Sequence, residues 1–119
     1  MKIGFIGLGN VGGKLATSLM RNKFDLTVRD LDKNLTKSFE DQGAKVVNTP
    51  KELAEEVDLI ITCLPSPSIC AEVMEGEDGI LSGLSENKIW LEMSTTDEAE
   101  VKRIGEKVTA KKAIPLDGP

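Results

Sequence analysis

Apolar residues along this chain fall into six short runs, the first five each followed by a stretch in which they recur every three or four positions. A short run of that kind reads as a strand buried on both faces, and the wider spacing reads as a helix with one apolar stripe. The runs are Ile3–Ile6, Leu26–Arg29, Lys45–Val47, Leu59–Leu64, Lys88–Glu92 and Ala113–Leu116. Between them, the spacing predicts a helix from Asn10 to Arg21, with Val11, Leu15 and Leu19 facing the sheet and Lys14, Ser18 and Arg21 outside that stripe. A second helix runs from Lys33 to about Gln42, with Leu35 and Phe39 inward. A third opens at Thr49-Pro50 with Leu53, Ala54 and Val57 buried, and a fourth covers Ser68–Met74. A last one carries Val101, Ile104 and Val108.

Punctuation agrees with these boundaries. Asp32 is placed to cap the second helix and Gly43 to end it. Pro50 occupies the first helical position, where its missing N–H costs nothing. Thr95-Thr96-Asp97-Glu98 has the form of a capping box, with Thr95 as N-cap and Glu98 three residues on. Pro65 and Pro67 force the chain to leave the sheet after Leu64, and Gly76-Glu77-Asp78-Gly79 reads as a loop. Strand and helix alternate six times in 119 residues, without repeats, linkers or low-complexity tracts. The expected fold is one α/β domain of Rossmann type: a doubly wound parallel sheet of six strands in the order 3-2-1-4-5-6, with helices on both faces.

Within that frame, Gly7-Leu8-Gly9-Asn10-Val11-Gly12 stands between the first strand and the first helix. That is the context in which G-x-G-x-x-G binds a dinucleotide. Gly7 permits the sharp turn, Gly9 lets a pyrophosphate approach bare backbone, and Gly12 lets the helix pack on the strand. The amides from Leu8 to Val11 then point at the phosphates, where the helix dipole favours negative charge. A plain glycine-rich turn is the competing reading. The Gly-Gly-Lys at 12–14 is not a P-loop, because Leu8 and Leu15 stand where that motif needs Gly and Ser or Thr.

Asp30 follows the second strand, 18 residues beyond Gly12. There a carboxylate accepts hydrogen bonds from the adenosine ribose of NAD and repels the 2′-phosphate of NADP. Its neighbour Arg29 either offsets that repulsion or lies on the adenine. Asp30 as a simple turn or capping residue is the alternative. Leu64-Pro65, at the end of the fourth strand, lines the crevice opposite the glycine turn, or else forms a rigid loop without ligand contact.

Composition narrows the chemistry. The net charge is −5 and aromatic residues make up 3%, which argues against a nucleic-acid surface. No apolar run approaches the ~18 residues of a membrane span. The first apolar segment breaks into glycines too early for a signal peptide. The expected compartment is the cytoplasm, or a mitochondrial matrix if a presequence has been removed. Cys63 and Cys70 form no disulfide framework, and Cys63 reads as a small buried hydrophobe. With no histidine and no tyrosine, a Ser-His-Asp triad, a histidine base, a tyrosine acid and a histidine metal site are all excluded, leaving lysine and carboxylates to move protons.

Several separated motifs resemble the β-hydroxyacid dehydrogenases, most of all their 3-hydroxyisobutyrate dehydrogenase branch, over essentially the whole chain. Gly4-Phe5-Ile6-Gly7-Leu8-Gly9-Asn10-Val11-Gly12 is similar to the family's opening signature, with Val11 replacing the usual methionine. The strand-two acid falls on Asp30. The Leu-Pro pair that contacts the cofactor falls within Thr62-Cys63-Leu64-Pro65, and Gly76–Leu81 resembles a recurrent family loop. Leu91-Glu92-Met93-Ser94-Thr95 resembles the family's Asp-x-Ser-Thr, with Glu92 in place of aspartate. The resemblance implies that Thr95 contacts the nicotinamide end of NAD, with Ser94 among the cofactor-binding residues.

Asp117-Gly118-Pro119 looks like the start of the family's substrate motif, but the Ser-Gly-Gly that completes it is not in this sequence, nor is the family's lysine motif. The resemblance therefore implies the NAD-binding domain of an oxidoreductase that moves hydride between NAD and a small β-hydroxy acid. No catalytic residue is assigned, and binding without appreciable turnover is expected. The chain would be truncated before a helical substrate domain that completes the active site, and the full-length protein is expected to be a homo-oligomer. A non-catalytic module that senses dinucleotide or docks a partner is the alternative. No metal, nucleic acid or membrane is expected to take part.

Overall fold

The structure, a computed structural model, describes residues 1–93 and 97–117. Its six strands are β1 (Lys2–Ile6), β2 (Asp25–Arg29), β3 (Lys45–Val46), β4 (Leu59–Thr62), β5 (Ile89–Glu92) and β6 (Ile114–Asp117). The helices are α1 (Asn10–Arg21), α2 (Lys33–Asp41), α3 (Pro50–Glu56), α4 (Pro67–Glu75), α5 (Ile80–Gly83) and α6 (Glu98–Ala110). All strand pairs are parallel and their order is β3-β2-β1-β4-β5-β6, as expected from the alternation. The order reverses between β1 and β4, and the crevice beyond the carboxyl ends of those two strands is where such sheets bind ligands.

Each face of the sheet carries its own core. Ile3, Phe5, Leu26, Val28 and Ile61 pack with Ala16 of α1 and Phe39 of α2. On the other face, Ile6, Ile60 and Trp90 pack with Leu53 of α3, Met74 of α4, Ile80 of α5, and Ile104 and Val108 of α6. Gly4 brings α3 close to β1: a Cβ there would come within 2.4 Å of the Leu53 side chain. Lys88 closes the other end of α3, its ammonium donating to the carbonyls of Ala54 and Glu55. Cations are favoured at that end of a helix. Among the described residues no helix is long and apolar enough to cross a membrane.

Four details depart from the periodicity. Val11 does not face the sheet and is 63% exposed; the inward residues of α1 are Gly12 and Ala16, flanked by the half-buried Leu15 and Leu19. Small side chains win that face because the helix backbone sits directly on the glycine turn: a Cβ on Gly12 would lie 1.9 Å from the Gly7 carbonyl oxygen. Strand β4 stops at Thr62, two residues early, although the Cys63 N–H still donates to Ile6 at 3.0 Å. The N-cap of α6 is Asp97, not Thr95, with its carboxylate accepting from the amides of Ala99 and Glu100. Finally, α5 is a single turn too short to leave a helical period in the sequence.

Candidate functional site

The glycine turn is pinned from both sides. Gly7 has φ of +101°, a left-handed conformation that strains any other residue. Its N–H donates to the Arg29 carbonyl at 3.3 Å, and a Cβ on it would come 2.1 Å from the carbonyl oxygen of Cys63. The turn therefore lies against the ends of β2 and β4 together. Gly9 differs. Its φ is an ordinary −69°, and a Cβ there would meet nothing within 4 Å. Nothing in the chain's own packing requires glycine at position 9.

Gly9 is also the N-cap of α1, and among the described residues no side chain caps that helix. By contrast Asp32, Thr49, Ser66 and Asp97 each accept from first-turn amides of α2, α3, α4 and α6. The α1 N-terminus thus keeps its positive dipole end and its first-turn amides without a side-chain acceptor, beside open space. Asn10 and Val11 are exposed at the same rim, while Leu8 is buried.

Asp30 closes the turn on the β2 side. One carboxylate oxygen accepts from the Leu8 N–H at 2.7 Å and the other from the Asp32 N–H at 2.9 Å. The capping role belongs to Asp32, so Asp30 does not cap α2. Its bond from the Asp32 N–H is that of a turn residue, the other half of the alternative reading, and it comes in addition to its bond to Leu8. Arg29 turns back on the chain, donating from Nη1 to the Asp30 carbonyl at 2.7 Å. Its buried Nε has no hydrogen-bond partner among the described residues.

The opposite lip is the segment leaving β4. Cys63 and Leu64 are half-buried and Pro65 is exposed. Leu64 reaches the turn, 3.3 Å from the Cβ position of Gly7. Burial, and then the negative charge of Glu92, push the Cys63 thiol above its ordinary range, so it is no ready nucleophile. The fully buried cysteine is Cys70 rather than Cys63. Behind this lip stands Glu92, wholly buried, accepting from the Thr62 hydroxyl at 3.1 Å and from the Cys70 thiol at 2.9 Å. The burial of Glu92 was missed from sequence; its signal was the two-residue period of β5, which puts it on the same face as Trp90. Ser94 and Thr95 lie outside the described residues.

The structure thus brings Gly7–Gly12, Asp30, Cys63 and Leu64 together at one crevice, with Arg29 and Pro65 at its edges. A dinucleotide fits what the chain offers there: free helix-end amides, an unfilled space at Gly9 and a carboxylate beside them.

Comparison with known proteins places these features in company. Residues 2–119 match the family model described as the NAD binding domain of 6-phosphogluconate dehydrogenase. Over 117 residues, the chain is 36% identical to the mitochondrial 3-hydroxyisobutyrate dehydrogenase of Mus musculus. That match covers 98% of this chain and 35% of the mouse protein, so the chain spans about a third of such relatives. Two solved structures share the fold. One is a 3-hydroxyisobutyrate dehydrogenase from Salmonella typhimurium, with TM-score 0.89 and 22% identity over 97% of this chain and 40% of that one. The other is a 3-hydroxyisobutyrate dehydrogenase from Mycobacterium tuberculosis, with TM-score 0.87 and 21% identity over 99% of this chain and 40% of that one.

Proposed function

This chain belongs to the family of the NAD-binding domain of 6-phosphogluconate dehydrogenase, and on that premise we propose that its crevice holds NAD as part of a β-hydroxyacid dehydrogenase. The observation that carries the reading is the α1 N-terminus, uncapped by any side chain among the described residues and facing open space at Gly9, with Asp30 hydrogen-bonded to the adjoining turn. In this reading the pyrophosphate approaches the bare backbone of Gly9 and the amides of Asn10, Val11 and Gly12. Gly7 and Leu8, whose N–H groups go to the Arg29 carbonyl and the Asp30 carboxylate, shape the turn rather than donate to the phosphates as the spacing suggested for Leu8. Asp30 faces the adenosine ribose, and Arg29 lies on the adenine or offsets the repulsion of a 2′-phosphate. Cys63, Leu64 and Pro65 border the cofactor from the other lip, with Ser94 and Thr95 towards the nicotinamide. The Asp30 carboxylate disfavours the extra phosphate of NADP by like-charge repulsion.

When bound, the nicotinamide supplies hydride transfer. The residues of this chain bind and orient it. Substrate is proposed to be a small β-hydroxy acid, as the names of the relatives suggest. As in the resembling dehydrogenases, its proton is proposed to be handled by a lysine that these residues do not supply, on a helical domain that completes the active site, and the full-length protein is proposed to be a homo-oligomer. These 119 residues then bind cofactor without appreciable turnover, in the cytoplasm or in a mitochondrial matrix. The test is a titration with NADH and, separately, NADPH, following the emission of Trp90, the single tryptophan. Saturable quenching by NADH, and weaker quenching by NADPH, is the expected result. Absence of saturation with both would end the binding assignment, and turnover of a β-hydroxy acid at a full enzyme's rate would end the claim of binding alone.

A further inference from the structure

We propose that Glu92 is a positioning residue: its buried carboxylate clamps the lip between β4 and α4 so that the crevice accepts the nicotinamide half of the cofactor. The inference deepens the NAD-binding reading and rests on it. Glu92 is 0% exposed at the carboxyl end of β5. A carboxylate taken out of water is tolerated only where donors face it. Two of its donors converge on a single oxygen, Oε2: the Thr62 hydroxyl at 3.1 Å and the Cys70 thiol at 2.9 Å.

The direction of those bonds is set by their neighbours. The Thr62 hydroxyl oxygen accepts from the Trp90 indole N–H at 3.0 Å, which aims its own hydrogen at Glu92. Burial, followed by the bond to Glu92, drives the Cys70 thiol well above its ordinary range, so it stays protonated and donates. Thr62 is the residue before the lip, and Cys70 lies in the first turns of the helix after it. One oxygen therefore holds both ends of the segment from Cys63 to Ile69, which includes Leu64 and Pro65. Pairing of β4 with β5 continues past Glu92, where the Met93 N–H donates to the Thr62 carbonyl at 2.8 Å. The sequence reaches Ser94 one residue later.

Stability alone does not explain a carboxylate here. Well-packed apolar residues of similar volume often replace buried ionic groups at no loss of stability. Geometry does explain it, because an apolar side chain fills space without tying β4, β5 and α4 to one atom. The adenine half of the crevice, at Gly7–Gly12 and Asp30, shares none of these bonds. Glu92 should therefore act on one half of the ligand only.

The test compares Glu92→Met and the near-isosteric Glu92→Gln with wild type. Dissociation constants are measured for NADH and for ADP-ribose, which lacks the nicotinamide. The indole N–H resonance of Trp90 reports the integrity of the Thr62 bond. Wild type is expected to bind NADH more tightly than ADP-ribose. Glu92→Met should lose at least about five-fold in NADH affinity, with ADP-ribose changed less than about two-fold. Glu92→Gln, which keeps one acceptor oxygen, should fall between; it carries the same comparison if Glu92→Met does not fold. Equal loss for both ligands, or loss for neither, overturns the clamp. So does a wild type that binds both equally, which leaves the NAD-binding reading standing. Failure of wild type to bind either ligand removes that reading, and the clamp with it.

Discussion

On the β1 side of the crevice the surface is made of backbone: a turn free of side chains at Gly7 and Gly9, helix-end amides, and one carboxylate that hydrogen-bonds to that turn. On the β4–β5 side it is shaped from behind by side chains, with Trp90, Thr62 and Cys70 arranged around a buried Glu92. The first side is built so that a ligand meets peptide groups, which carry no sequence-dependent chemistry beyond the absence of Cβ atoms. The second depends on which particular hydroxyl, thiol and carboxylate meet across three elements. Failure should therefore look different on the two sides. Changes to the turn act through steric exclusion, and changes behind the lip act through lost alignment.

The largest effect separates two glycines within the turn itself. Gly12→Ala places a Cβ 1.9 Å from the Gly7 carbonyl oxygen and 3.0 Å from its carbon, both backbone atoms that cannot swing away. Unfolding in urea, followed by Trp90 emission, should show a loss of about 3 kcal/mol or more, with failure to fold as the extreme. Gly9→Ala has an ordinary φ and meets nothing within 4 Å. Its stability should stay within about 0.5 kcal/mol of wild type. NADH affinity should nevertheless fall roughly ten-fold or more, because the added methyl group occupies the space a phosphate needs. Tight NADH binding by Gly9→Ala would break the assignment of that space.

That contrast also marks what could be read from the sequence. The strand order, the glycine turn, Asp30, the cap at Asp32 and Pro50 at the start of α3 are consequences of short-range spacing, and they stand where the pattern puts them. Val11 was misplaced because periodicity rewards large apolar residues, whereas the tight approach of α1 to the turn rewards Gly12 and Ala16. The α6 cap fell on Asp97, whose carboxylate accepts from the amides of Ala99 and Glu100, so the helix begins two residues later than the Thr95 pattern indicates and keeps Glu98 and Glu100 in its first turn. Glu92 was the furthest from view. Its partners lie 22 and 30 residues away on other elements, and a carboxylate in a strand gives no local sign of the donors waiting for it.

Asp30 sharpens the comparison at a smaller scale. Its two oxygens accept from Leu8 and Asp32, so it supports the turn and faces the proposed ribose position at once. Asp30→Ala leaves both amides without that acceptor, at a cost of about 1–2 kcal/mol in urea unfolding. NADH and ADP-ribose should weaken by the same factor, since both carry the adenosine, and the preference for NADH over NADPH should shrink. Glu92 variants should instead split the two ligands. If Asp30→Ala also split them, the division of the crevice into an adenine half on backbone and a nicotinamide half behind the lip would be wrong.

The smallest effect tests how far the clamp extends along α4. Glu75, the last residue of that helix, accepts hydrogen bonds from Arg103 and Lys107 of α6. Arg103 first, and then Lys107, hold its carboxyl down at about 2, against an ordinary 4.5. A carboxylate depressed in this way adds stability above pH 4.5, and that contribution drains away as pH falls towards 2. The side chains of Glu75 and Arg103 remain 23% and 42% exposed, so solvent screening keeps the contribution below about 1 kcal/mol. Thermal melts of wild type and Glu75→Gln should therefore differ slightly at pH 6, converge near pH 2, and differ less in high salt. A gap that persisted at pH 2 would rule out the ion pairs as its source. NADH affinity at pH 7 should be unchanged in Glu75→Gln, because the lip is held at the start of α4 by Cys70 and Glu92, not at its end. A change in that affinity would mean that the alignment of the lip depends on the whole length of α4 and its seat on α6.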